Sequence, residues 1–145
     1  MRNIWTSFLV LFCAGLLENC GSHSSAPTPP TAVEKATTLM VVSPWTMKSL
    51  TIDGTADDTF FVGLQITFTA SGFTAKNGDP VWPASGTWSF TDANATFIKR
   101  SDDLTIQLDE LTASSMQVSL VWTSTTTSGG RTNSVAGKHV FVFSH

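Results

Sequence analysis

Tyrosine is absent from the 145 residues, cysteine occurs only at Cys13 and Cys20, and charged side chains make up 13%. Each shortage excludes something. Basic residues never cluster beyond the pair Lys99-Arg100, and the net charge is only −3. A nucleic-acid binder needs a basic stripe to displace counterions, so no nucleic-acid partner is expected. Runs of Ala, Leu, Glu and Lys that would build long helices are missing after residue 20. In their place stand ten Phe, five Trp and many Thr and Ser, a bias toward pleated, half-buried strands. The length suits one compact domain.

The N-terminus reads as an export signal. A basic start, Met1-Arg2-Asn3, precedes an apolar core of 14 residues from Ile4 to Leu17. That core is shorter than the roughly 20 residues a membrane span needs, and it carries Thr6 and Ser7. Leu17-Glu18-Asn19-Cys20 resembles the lipobox of a bacterial lipoprotein signal, with Leu17 at the favoured apolar position and Glu18 and Asn19 where small residues are usual. The resemblance implies cleavage before Cys20 and lipidation of its sulfur, with several acyl chains holding the protein at a membrane. The alternative is an ordinary signal with an incidental cysteine. Cys13 would leave with the signal, so no intramolecular disulfide is expected. Gly21 to about Thr38, GSHSSAPTPPTAVEKATT, offers little to bury and reads as a tether. It would reach roughly 50 Å if stretched. The expected organisation is a signal peptide over 1–19, a lipidated Cys20 with its tether over 20–38, and one domain over 39–145.

The domain is read from alternation. In FFVGLQITFTA, Phe60 to Ala70, the residues Phe60, Val62, Leu64, Ile66 and Phe68 share one parity, and Gln65, Thr67 and Thr69 take the other. A strand sends successive side chains to opposite faces, so this stretch predicts a strand with one apolar face. Leu39 to Val42 is a short apolar entry that could pair weakly. Trp45 and Met47 differ in parity from Leu50 and Ile52, which predicts a bulge near Lys48-Ser49 that brings all four to one side. Asp53-Gly54 signals a turn and Asn77-Gly78 a tight hairpin. Further strands are expected at Gly72–Lys76, Gly86–Thr91, around Phe97-Ile98, and over Leu104–Leu108 and Met116–Trp122. A last one, GKHVFVFSH, puts His139, Phe141 and Phe143 on one side. Thr123 to Ala136 reads as a Ser/Thr/Gly/Asn loop. About eight short antiparallel strands make an all-β domain, an up-and-down barrel or, as the alternative, a β-sandwich.

A lipobox, a Pro/Thr tether, the tryptophan-led PWTMKSLTIDG, a meander containing WPASGTWSF and a closing GKHVFVF follow one another in this chain. That order resembles the small lipocalin-like lipoproteins of Bacteroidota over roughly residues 41–145. It is a likeness of pattern. Lipocalins proper carry Gly-x-Trp on the first strand, where this chain reads Ser43-Pro44-Trp45. The resemblance implies an eight-stranded barrel closed at one end, with room for a small apolar ligand. It also implies a basic residue covering Trp45, with Arg131 and Lys138 as the candidates.

Little in the sequence points to chemistry. His23, His139 and His145 show no metal-ligand spacing and no thiolate joins them, so neither a metal nor another cofactor is expected. Asp53/Asp57/Asp58, Asp102/Asp103 and Asp109/Glu110 sit at turns or strand ends, where aspartate favours turn geometry. Carboxylate catalysis or a calcium site is the sharper reading of these groups, and turn-forming the plainer one. No Gly-x-Ser-x-Gly turn occurs, so the chain is read as no enzyme and no catalytic residue is assigned. Trp82, Trp88 and Trp122 are the candidate ligand-binding residues. Trp88 and Trp122 are in phase with apolar neighbours and suit a core as well, whereas Trp82 is expected at a barrel mouth or exposed. The expectation is a lipid-anchored cell-envelope protein, on the outer membrane, that binds a small apolar ligand or acts as an accessory protein. The alternative is a sandwich-type adhesin or carbohydrate-binding module.

Overall fold

A computed structural model describes residues 27–145. The segment read as an export signal, with Cys13, Cys20 and His23, lies outside the described residues. The first elements are α1 (Ala32–Met40), β1 (Trp45–Ile52), β2 (Thr55–Ala56), β3 (Gln65–Phe68), β4 (Gly72–Lys76) and β5 (Ser85–Phe90). There follow β6 (Phe97–Arg100), β7 (Thr105–Leu111), β8 (Ser115–Trp122), β9 (Thr126–Ser128), β10 (Arg131–Ser134) and β11 (Gly137–Ser144).

Eight strands form the main sheet: β1, β3, β4, β5, β6, β7, β8 and β11, each antiparallel to the next. β11 also pairs with β1 from Thr46 opposite Ser144 to Ile52 opposite His139, and the sheet closes. This is the expected up-and-down barrel and not a sandwich. Closure removes both sheet edges, which would otherwise present unpaired amides. β2 is a two-residue flap on β1, and β9 with β10 forms a separate ribbon. The ribbon occupies much of the stretch read as a plain loop.

Alternation decides what fills the interior. Leu50, Ile66, Phe68, Ile98, Ile106, Met116, Val118, Leu120, Phe141 and Phe143 are all buried. Burying such a side chain contributes roughly 1.5–3 kcal/mol. Met47 lies opposite Phe143 while Ser49 lies opposite Val142. Lys48 is thus the extra residue that re-phases β1, and Trp45, Leu50 and Ile52 all end inside. A second irregularity falls between Leu108 and Glu110 of β7.

Three local expectations are corrected. Phe60–Ala70 is not one strand: β3 covers only Gln65–Phe68, and Leu64, Ile66 and Phe68 do point inward. Before them Phe61 (φ +55°) and Gly63 (φ +75°) take left-handed conformations, which break the alternation. Phe61 is buried instead of its neighbour Val62, which is 70% exposed. Residues 32–38 of the supposed tether, and the apolar entry from Leu39 to Met40, form α1. Thr31 and Glu34 make a reciprocal capping box at its start. Asn77-Gly78 is no two-residue hairpin either. Asn77 has φ +58°, but the chain runs on through a loop to Ser85 before pairing resumes.

The barrel has two unlike ends. α1 lies across one, with Ala36 and Met40 buried. The Met40 carbonyl accepts a hydrogen bond from Trp45 Nε1 at 2.9 Å. Up-and-down order sends the β1–β3, β4–β5, β6–β7 and β8–β11 connections to the other end.

Candidate functional site

Two of those connections fold back into the barrel mouth. Trp82, from the β4–β5 loop, is 1% exposed. Its ring meets Phe73, Phe141 and Phe143 edge-on, with centroids 5.9–6.2 Å away. The expectation of a mouth-exposed Trp82 is therefore corrected. Gly78 explains how the loop turns in so tightly: a Cβ there would sit 2.4 Å from Trp82 Cβ, and the Trp82 amide donates to the Gly78 carbonyl at 2.7 Å. Phe61 enters from the β1–β3 connection and packs on Phe141 at 5.9 Å. Together the two aromatics plug the lumen.

Arg100, the last residue of β6, is buried against the Trp82 ring. Its guanidinium carbon lies 5.1 Å from the Trp82 ring centre and 5.7 Å from that of Phe73. It donates to the Val81 carbonyl at 2.7 Å and forms a two-pronged ion pair with Asp102. A buried charge needs such saturation, because an unpaired one would be too costly to desolvate. The hydrogen bond from Arg100 also holds the Asp102 carboxyl below its usual range. The basic residue over a tryptophan is thus Arg100 over Trp82. Neither Arg131 nor Lys138 covers Trp45, whose ring instead meets His145 edge-on at 4.5 Å.

Trp88 and Trp122 are part of the wall. Trp88 is 5% exposed, its Nε1 donates to the Thr69 and Gly72 carbonyls, and its ring meets Phe68 and Phe90. Trp122 is half-buried and donates to Ser134 Oγ at 3.2 Å, which ties the β9–β10 ribbon to the barrel. Of the three candidate ligand-binding tryptophans, Trp82 and Trp88 share one buried core, linked through Phe73 and Phe68, and Trp122 packs against it.

His139 lies inside the barrel at the mouth end of β11, stacked on Phe141 at 5.9 Å. Its Nδ1–H donates to the Gly137 carbonyl at 3.1 Å. Burial pushes its pKa down, outweighing that hydrogen bond and the nearby Asp53 charge. Nε2 of His139 and Nε1 of Trp82 are both buried without a partner. One accepts and the other donates. The pattern of the sequence placed His139 on the barrel face but held no sign that its Nε2 would be buried without a partner.

Above the plug lies an open cleft of about 680 Å³. Its walls are Phe60 to Val62, Asn77 and Asp79 of the two infolding loops and Arg131 to Asn133 of β10. Asn77 Nδ2 donates to the Gly63 carbonyl at 3.3 Å and joins the two loops. Sequence reading missed this site because its residues come from two loops and a short ribbon strand and share no periodicity. Several of the carboxylates considered for catalysis or calcium hold backbone and side-chain donors in place. Asp53 accepts from the Lys138 amide, Asp58 from the Leu50 amide, and Asp57 from Thr59. Asp92 accepts amides of Asn94, Thr96 and Phe97, and the last of these chiefly holds its pKa down. Among the described residues no three His, Cys, Asp or Glu side chains gather as a metal site. No family model, curated protein or solved structure matches the chain.

Proposed function

We propose that the chain is a non-enzymatic, lipid-anchored protein of the bacterial cell envelope, a lipocalin-like barrel held on the outer membrane through Cys20 that binds a small molecule at its far rim. The observation that carries this reading is the polarity of the molecule. The chain enters through α1 over one end, and the rim cleft opens between loops at the opposite end. An anchor on the entry side leaves that cleft facing away from the bilayer. Because α1 takes up residues 32–38, the tether is the stretch 21–31, with a reach of roughly 35 Å. The Cys20→Ala chain should leave the membrane fraction for the soluble one. Its retention with membranes would end the anchor reading.

A second reading keeps the ligand inside the barrel, and the unpartnered Trp82 Nε1 and His139 Nε2 favour it. Buried polar atoms are nearly always paired, with protein, water or ligand. A ligand hydroxyl could accept from the indole or donate to the imidazole. Phe61 and Trp82 would have to give way first, so an apolar alcohol should change Trp82 emission slowly. Unchanged tryptophan fluorescence at saturating dodecanol, with Trp82→Ala as control, would end this second reading.

A further inference from the structure

The rim cleft brings opposite charges together without pairing them. Asp79 on the β4–β5 loop and Arg131 on β10 both line it. The ion pairs among the described residues are formed by other groups, Lys99 with Asp103 and Arg100 with Asp102. Asn133 adds an amide, and Phe60 with the exposed Val62 adds an apolar patch. We infer that this cleft is a binding site for a neutral, hydroxyl-rich ligand, a short stretch of glycan.

Three features of the cleft select that chemistry. Balanced charge gives no net attraction for an anion or a cation, whereas a hydroxyl can donate to a carboxylate and accept from a guanidinium or amide at once. A sugar ring also has a C–H face that packs on an aromatic such as Phe60, so polar and apolar walls are used together. The two loop walls are also set in advance. Phe61 and Asn77 hold left-handed conformations, Asn77 bridges to the Gly63 carbonyl, and Gly78 has no room for a side chain against Trp82. A preformed cleft loses less entropy on binding than loops that must order around a ligand. Its volume, about 680 Å³, falls within the usual range for small-ligand sites.

This inference rests on the rim being the binding face, and the experiment separates the two. The full chain is labelled with 15N in a detergent that has no sugar headgroup. Backbone amide shifts are followed while oligosaccharides of glucose, mannose or N-acetylglucosamine are added, and then glycine, inorganic phosphate and dodecanol. The expected result is saturable shifts at Val62, Asn77 and Thr132 with at least one oligosaccharide. Arg131→Ala and Asn133→Ala sit on an exposed ribbon, so the thermal midpoint should hold while affinity falls about 10-fold, the loss of one or two hydrogen bonds. Sugar shifts that survive both substitutions, or arise elsewhere, overturn the inference. Rim shifts with glycine, phosphate or dodecanol and none with sugars overturn the glycan while keeping the rim as a binding face. A rim silent to every probe overturns both.

Discussion

An imidazole inside an apolar barrel has a consequence that depends on pH. His139 is held neutral by burial, so its folded pKa lies below that of the unfolded chain, which is near 6.5. Between those two values the unfolded chain binds more protons. Stability is therefore complete above about pH 6.5 and falls as the pH drops toward the folded pKa. The carboxylates with lowered pKa, Asp92 and Asp102, act in a separate window. Their stabilisation is present above the unfolded value near 4 and is lost below it. The thermal midpoint should accordingly fall between pH 7.5 and 5.5 in the wild type and change much less in His139→Leu. Equal slopes in the two proteins would place the titration elsewhere. Trp82 belongs to the same scale. Parity rules describe strands, and nothing in Val81-Trp82-Pro83 tells whether a loop folds inward or outward. Only Phe73, Phe141, Phe143 and Arg100, brought in from three strands, make burial the better state.

Secondary-structure elements were legible where their signals are local. The bulge at Lys48 follows from two parities in one strand, and the structure has it there. The Asp53-Gly54 turn is also present, with φ +50° and +82°. α1 was readable too, from Thr31-x-x-Glu34, but the proline and serine content around it pointed to a tether. The strand expected from Phe60 was cut short by conformations that apolar periodicity does not report. Two substitutions probe these elements. Ile66→Asp puts a carboxylate among fully buried side chains, and a cooperative thermal transition in circular dichroism should vanish. Wild-type melting would mean that β3 faces the other way. Gly78→Ala forces a methyl group against Trp82 and should cost about 1–3 kcal/mol in urea denaturation, the usual range for overpacking. A red shift of tryptophan emission would accompany it if Trp82 is pushed toward water.

The whole molecule is a ring whose last strand closes on its first. β11 is paired along its length on both sides, with β8 and with β1, and it carries His139, Phe141 and Phe143 into the centre. Unfolding of the ring must break that seam. Amides of β1, β8 and β11 should therefore exchange slowest with deuterated solvent. Those of β2 and of the β9–β10 ribbon, which lie outside the ring, should exchange within the dead time of the measurement. Fast exchange along β11 would show that the barrel opens there. Closure also explains why a strand count could not separate barrel from sandwich, since both architectures use the same alternation.

Alternation along the chain determined the all-β class, the inward faces of β3, β8 and β11, and the bulge in β1. Each of these follows from the pleat of a single strand, in which one residue's direction sets that of the next. Ring closure, the burial of Trp82 and Phe61 in the mouth, the choice of Arg100 as the buried cation and the rim cleft were decided only by tertiary structure. They depend on residues far apart in sequence meeting across the barrel, and no local period carries that information.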